Sequence, residues 1–262
     1  MSAGTPLHVD SVGAGPPLVL LHGWAMHGGL FASLVPALAG RHRVHVVDLP
    51  GHGHSPAVLP YALDAVVARI DAEFARETQP VTVLGWSFGA TVALRWARLA
   101  PERVARLVLV CATPRFVASA DWAPAMAPAT LARFGDELRV AYRLTLQRFL
   151  ALQVQGGAEA RATLAALRSA LFARGEPSPA ALASALAVLQ ATDLRGDVRE
   201  IHAQALVVTG SRDALTPPAA GAWLAGALPQ ARHVDIENAA HAPFLSHRPQ
   251  FDAAVTEFLD AA

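Results

Sequence analysis

Lysine is absent from this sequence: all 21 basic residues are arginine, and they balance 21 acidic residues to a formal net charge of zero. The absence excludes Schiff-base catalysis by lysine and the phosphate-binding lysine of a P-loop. The neutral balance lacks the strongly basic surface that nucleic-acid-binding domains use, so we expect no nucleic-acid partner. A single cysteine, Cys111, excludes a disulfide scaffold, and no Cys/His spacing indicates a metal site. We therefore expect neither metal nor cofactor.

Long apolar runs are also missing. No uncharged apolar stretch approaches the roughly 18–20 residues of a membrane span, and the first residues lack the basic and apolar segments of a secretion signal. We expect a cytoplasmic monomer with no membrane partner. At 53% hydrophobic and 16% charged residues the chain is nevertheless typical of a folded protein, and 262 residues fit one α/β domain.

Short Val- and Leu-rich runs alternate with helical patterns, which is typical of buried parallel strands. These runs cover residues 17–21, 44–47, 81–84, 107–110 and, much later, 205–209. Between about residues 113 and 192 the runs give way to Ala, Leu and Arg at helical spacing. The sequence thus predicts a single α/β domain over residues 1–262: a mostly parallel central sheet flanked by helices (core 1–112 and 193–262) with a helical lid insertion at about 113–192.

The predicted lid is basic although the chain is neutral. Residues 113–192 hold 8 Arg against 5 Asp+Glu, a net of +3, so the rest of the chain carries 13 Arg against 16 acidic residues, a net of −3. A solvated helix face produces such a pattern, and so does a surface that attracts an acidic partner. Charge counts alone leave both open.

Ser87 lies in the motif Gly-Trp-Ser-Phe-Gly, residues 85–89, between the run 81–84 and the helical stretch 90–99. A sharp strand-to-helix turn brings backbones close together and therefore needs small residues on either side of an exposed nucleophile. The position at a helix N-terminus also favours developing negative charge. Ser87 is the predicted nucleophile.

Asp213 and His241 follow in the chain order that this motif requires, Ser, Asp, His. Asp213 lies just after the run 205–209 and His241 after the strand-like residues 234–236, so both are expected at the carboxyl edge of the sheet. The histidine would accept the serine proton and the carboxylate would orient the imidazole. Asp235 and Asp48 are competing acids, but Asp235 falls inside a strand and Asp48 precedes a glycine-rich turn.

His22-Gly23-Trp24 follows the first apolar run, the position from which one amide of an oxyanion hole comes in such enzymes. The residue after the nucleophile supplies the other amide. The predicted donors are the backbone N–H groups of Trp24 and Phe88, and their aromatic side chains are candidates for an acyl pocket wall.

On these motifs the chain resembles the α/β-hydrolases, and among them the carboxylesterases that act on pimeloyl-acyl carrier protein methyl ester in biotin biosynthesis. The similar segments are residues 18–24, 47–51, 84–87, 101–104, 148–153 and 239–244, with Ser246 and His247. Residues 148–153 and 241–244 are the most selective of them.

The resemblance implies hydrolysis of that methyl ester, with acyl carrier protein as partner. It implies a substrate site formed by Trp24, Ser87, Phe88, Phe149, Leu150, Ala151, Leu152, Gln153 and His241. It also implies carrier contact through lid arginines: Arg148 and Arg161 match family positions, Leu144 and Ala165 replace two others, and Arg143 and Arg168 lie near the replacements.

Three other functions are alternatives to this one. A broad carboxylesterase for short acyl esters, without a carrier partner, fits the same triad. Dehalogenase and epoxide hydrolase chemistry is disfavoured, because those relatives have aspartate where Ser87 stands. A ligand-binding receptor with weakened catalysis is disfavoured by the complete triad.

Overall fold

The computed structural model describes residues 5–261. Its centre is a seven-stranded sheet in the order β1-β3-β2-β4-β5-β6-β7. The strands are β1 (Val9–Val12), β2 (Pro17–Leu21), β3 (Arg43–Val47), β4 (Val81–Trp86), β5 (Val104–Val110), β6 (Gln204–Gly210) and β7 (Ala231–Ile236). Only β1 is antiparallel to its neighbour. The α/β fold with a mostly parallel sheet is confirmed.

The five predicted runs form β2 to β6, and the strand-like residues 234–236 form the end of β7. The five runs are buried because helices cover both faces of a parallel sheet. Strand β1 was not predicted. Three of its four residues are exposed and it contains Asp10 and Ser11, so it lacks the apolar run by which the other strands are recognised.

Ten α-helices are found in the described chain. They are α1 (Val35–Ala39), α2 (Leu63–Glu73), α3 (Phe88–Leu99), α4 (Pro128–Val140), α5 (Tyr142–Gln153), α6 (Ala160–Leu171), α7 (Pro179–Ala191), α8 (Pro218–Ala227), α9 (Pro243–Ser246) and α10 (Arg248–Asp260). Two 3₁₀ helices cover Gly28–Ser33 and Asp197–Glu200. None of these helices combines the length and the apolar character that crossing a membrane requires.

Helices α4 to α7 lie between β5 and β6 along the chain, and we refer to them as the lid helices. They are bonded to core loops at several points. The Trp24 indole N–H donates to the Leu182 carbonyl at 2.9 Å, and the His241 amide donates to the Gln153 carbonyl at 3.0 Å. The lid helices are therefore held directly on the loops that follow β2 and β7.

Candidate active site

Ser87 occupies a sharp turn between β4 and α3. Its φ of 55° is a left-handed value that is uncommon for a residue with a side chain. The turn is tight enough that a Cβ on Gly85 would lie 2.5 Å from the Gly89 carbonyl oxygen. The Ser87 amide donates to the Val110 carbonyl at 2.9 Å, which fixes the turn on β5. The strained turn presents the Ser87 side chain at the carboxyl edge of the sheet.

Asp213 and His241 meet at the same edge, after β6 and β7. The Nδ1–H of His241 donates to Oδ2 of Asp213 at 2.7 Å, and both side chains are almost completely buried. This bond leaves Nε2 of the imidazole as the nitrogen available to a substrate or to Ser87. Because a buried carboxylate stabilises an imidazolium, the pair is suited to general base catalysis.

The Asp213 carboxylate accepts four hydrogen bonds. Besides the imidazole, the backbone amides of Leu215 and Thr216 donate to Oδ1 at 2.9 and 3.0 Å, and the Thr216 hydroxyl donates to Oδ2 at 2.6 Å. Burial alone would raise the pKa of Asp213, but His241 and the Thr216 donors lower it below its usual value. The carboxylate is thus held ionised without contact with water.

Two backbone amides are available close to Ser87. Throughout residues 5–261, no protein acceptor is bonded to the Trp24 or Phe88 amide. Phe88 is the first residue of α3, where a helical amide has no intrahelical partner. These free donors are what a developing oxyanion requires.

A narrow apolar pocket opens beside Ser87 and His241. The core contributes Trp24 and Leu215 to its wall. The remaining wall residues come from residues 116–189: Phe116, Met126, Thr130, Leu131, Phe134, Phe149, Leu152, Leu186 and Leu189. Trp24 packs edge-to-face on Phe134 and Phe149, with ring centroids 5.5 and 5.0 Å apart. Ser87 therefore lies next to an apolar pocket with aromatic walls.

Comparison with known proteins agrees with this geometry. The family model for the alpha/beta hydrolase fold matches residues 16–248. The chain is 46% identical over 259 residues to the pimeloyl-[acyl-carrier protein] methyl ester esterase of Xanthomonas axonopodis pv. citri (strain 306), covering 97% of this chain and 98% of the relative.

The chain belongs to the α/β-hydrolase family. A second relative, the enzyme of the same name from Chromobacterium violaceum, is 44% identical over 254 residues and covers 97% of this chain and 98% of its own. Among solved structures, an esterase from Exiguobacterium antarcticum superposes with a TM-score of 0.87 at 21% identity, covering 97% of this chain and 96% of that one, which shows the shared fold. These relatives identify the chain as an esterase of the α/β-hydrolase family.

The structure brings five of the predicted substrate residues of this α/β-hydrolase together at the pocket: Trp24, Ser87, Phe149, Leu152 and His241. The other four do not line it. The Phe88 and Leu150 side chains are fully buried in the core, and Ala151 is exposed on α5. Gln153 is buried at the end of α5, and neither of its side-chain amide atoms has a hydrogen-bond partner in the described structure.

Sequence reasoning missed most of the pocket wall. Phe116 and Met126 lie in irregular chain after β5, and Leu131, Phe134, Leu186 and Leu189 lie on α4 and α7. No motif marks them. Helix α7 is apolar around most of its circumference, so its sequence does not reveal which face meets the pocket.

The competing acids have other partners. Asp235 accepts a bond from the Thr209 hydroxyl at 2.7 Å. Asp48 accepts bonds from the Gly28 and His54 amides at 2.7 and 2.9 Å, and Arg174 lies 3.1 Å away. Neither of them bonds His241 in the described chain. Asp48 instead ties the glycine-rich turn to the loop after β2 and, through Arg174, to the segment between α6 and α7.

The lid arginines differ in their surroundings. Arg143 pairs with Glu176 and lies over the Phe172 ring, and Arg148 is 3.4 Å from Glu137. Arg161 and Arg168 on α6 are exposed and form no ion pair within residues 5–261. These two are the lid cations whose charge is least compensated.

Proposed function

We propose that this esterase hydrolyses the methyl ester of pimeloyl-acyl carrier protein to methanol and the free carboxylate, with Ser87, His241 and Asp213 as its catalytic triad. The observation that carries the substrate assignment is the 46% identity to an enzyme of that name over 97% of the chain. The pocket supports it, since an apolar acyl chain would be buried along Phe134 and Phe149 beside the nucleophile.

The proposed reaction has two halves. His241 Nε2 takes the Ser87 proton as Oγ attacks the ester carbonyl, while the Trp24 and Phe88 amides stabilise the oxyanion. The tetrahedral intermediate expels methoxide, which takes the proton from His241 and leaves as methanol. Water activated by His241 then attacks the acyl-enzyme, releasing the carboxylic acid and restoring Ser87.

We propose that the lid helices supply the surface on which the carrier protein docks, with Arg161, which is exposed, as one contact and Arg143 and Arg148 as further contacts. Positive charge on the lid would attract an acidic carrier and raise its association rate. Arg143 and Arg148 would have to exchange Glu176 and Glu137 for carrier carboxylates. Arg161 has no ion pair to give up among the described residues.

The test compares two substrates, pimeloyl-acyl carrier protein methyl ester and p-nitrophenyl butyrate, each at low and high salt. The proposal predicts that kcat/KM falls steeply with salt for the carrier substrate only, because exposed charges are screened within about 10 Å at 0.1 M salt. Arg161→Ala should lower kcat/KM for the carrier substrate alone. Arg76→Ala, an exposed arginine after α2, is the matched control. Turnover of the small ester with none of the carrier ester would instead support the broad carboxylesterase.

A further inference from the structure

Thr216 lies three residues after Asp213, in the loop before α8. Its side chain is buried, with 3% of the residue exposed. Its hydroxyl oxygen is 2.6 Å from Asp213 Oδ2, 3.0 Å from the Cys111 carbonyl oxygen and 3.3 Å from His241 Nδ1. One hydroxyl therefore touches both members of the acid–base pair.

The hydroxyl has a single proton and two candidate acceptors. The carboxylate is nearer and charged, and charge-assisted hydrogen bonds are shorter and stronger than neutral ones. The proton therefore points to Asp213, and the Cys111 carbonyl is the longer second contact. The Cys111 backbone is fixed just after β5, because its amide donates to the Val208 carbonyl at 2.8 Å; its φ is 48°.

We propose that Thr216 is a positioning residue of this esterase: its hydroxyl bond fixes the Asp213 carboxylate in the orientation that holds His241 and limits how strongly that carboxylate stabilises the imidazolium. The inference rests on the proposed triad. Two amides donate to Oδ1, and the Thr216 hydroxyl and the imidazole donate to Oδ2. Without the hydroxyl, the Asp213 carboxylate keeps the imidazole and the neighbouring Cys111 thiol as its side-chain donors.

Removal of the hydroxyl has a defined electrostatic consequence. An Asp213 carboxylate with one donor fewer attracts the protonated imidazole more strongly, so the general base is protonated at a higher pH. The Cys111 thiol also faces the cluster, but burial and the Asp213 charge raise its pKa, so it stays neutral at neutral pH. Asp235 acts on that thiol from β7 and bonds Thr209 rather than this cluster.

The test uses p-nitrophenyl butyrate, which needs no carrier protein, and measures kcat and kcat/KM from pH 5 to 9. Thr216→Val keeps the β-branched shape and removes the hydroxyl, whereas Thr216→Ser keeps the hydroxyl. We expect Thr216→Val to lose roughly tenfold to a hundredfold in kcat, the range of a hydrogen bond to a charged group. The acid limb of its kcat/KM profile should move to higher pH. Thr216→Ser should remain within about threefold of the unaltered enzyme.

The chain offers a matched control. Thr209 is equally buried and its hydroxyl bonds Asp235 and His233 at 2.7 and 2.9 Å, away from Ser87. Thr209→Val should leave the acid limb where it is, so a general effect of removing a buried hydroxyl is separated from an effect on the triad.

The possible outcomes are distinct. A Thr216→Val enzyme with unchanged kcat and acid limb overturns the inference. So does a Thr216→Ser enzyme as impaired as Thr216→Val, because retaining the hydroxyl would then preserve nothing. If the valine variant does not fold, Thr216→Ala takes its place, since alanine and serine differ only in the hydroxyl. If the unaltered enzyme hydrolyses no ester, the proposed function fails instead.

Discussion

Replacing Gly89 with alanine would put a methyl group where the backbone of a neighbouring loop already lies. The added Cβ would be 2.1 Å from the Leu21 carbonyl oxygen, 2.6 Å from its carbonyl carbon and 2.7 Å from the His22 carbonyl oxygen. All three are backbone atoms at the start of the loop that carries Trp24. They cannot move aside as a flexible side chain would.

The expected cost is at the upper end of overpacking, about 3 kcal/mol of unfolding free energy. For a chain of this size about 1 kcal/mol shifts Tm by roughly 2–4 °C, so Tm should fall by roughly 6–12 °C. Because relief of the clash displaces the Trp24 amide, kcat for p-nitrophenyl butyrate should fall by more than about tenfold.

Gly226→Ala is the matched control. No atom lies within 4 Å of its added Cβ, and Gly226 lies inside α8, where alanine favours the helix by roughly 0.5–1 kcal/mol. Thermal unfolding and esterase turnover are measured for both variants. A Gly89→Ala protein that melts with the control and retains full kcat would refute the close packing of α3 on this loop.

The remaining predictions concern the pocket wall and acid stability. Leu186 lines both the acyl pocket and a surface groove between α4 and α7, whereas Leu189 lines the pocket only. Leu186→Ala should therefore open the pocket to the groove and raise kcat/KM for p-nitrophenyl decanoate relative to butyrate, by up to roughly fourfold for each methylene that enters the groove. Leu189→Ala should cause no such rise. Equal chain-length profiles for the two variants would show that Leu186 does not separate the pocket from the groove. Burial lowers the pKa of His22 to about 3, assisted by the charge of His52, and burial lowers that of His52 to about 4. Both imidazoles therefore stay neutral in the folded protein at pH 5, whereas in the unfolded chain they bind a proton below about pH 6.5. The free energy of unfolding in urea should drop between pH 7 and pH 5 by about 2 kcal/mol for each histidine. Constant stability over that range would contradict the burial of these histidines in the neutral form.

The parts that sequence could predict are those with a local physical signature. A buried Val/Leu run followed by a glycine-flanked serine and a helix allows few conformations, so the turn at Ser87 follows from its own residues. Strand β1 has no such run. Its Asp10 and Ser11 are exposed polar residues that give no local sign of a strand. The segment is a strand because it pairs with β3.

The pocket and the surroundings of Asp213 depend on contacts between distant segments. Phe134 on α4 and Phe149 on α5 meet Trp24 only after the lid helices pack on the core. Thr216 precedes two prolines in an ordinary helix start, and nothing in that sequence shows that its hydroxyl meets the carbonyl of Cys111, 105 residues earlier. Such contacts are set by the tertiary structure and have no local pattern.

The most direct test of the central claim is methanol release from pimeloyl-acyl carrier protein methyl ester by the unaltered protein and by Ser87→Ala. We expect stoichiometric methanol and free carboxylate from the unaltered protein, and a loss on the order of 10⁴–10⁶ in rate for Ser87→Ala. Undiminished methanol release by the Ser87→Ala protein would contradict it.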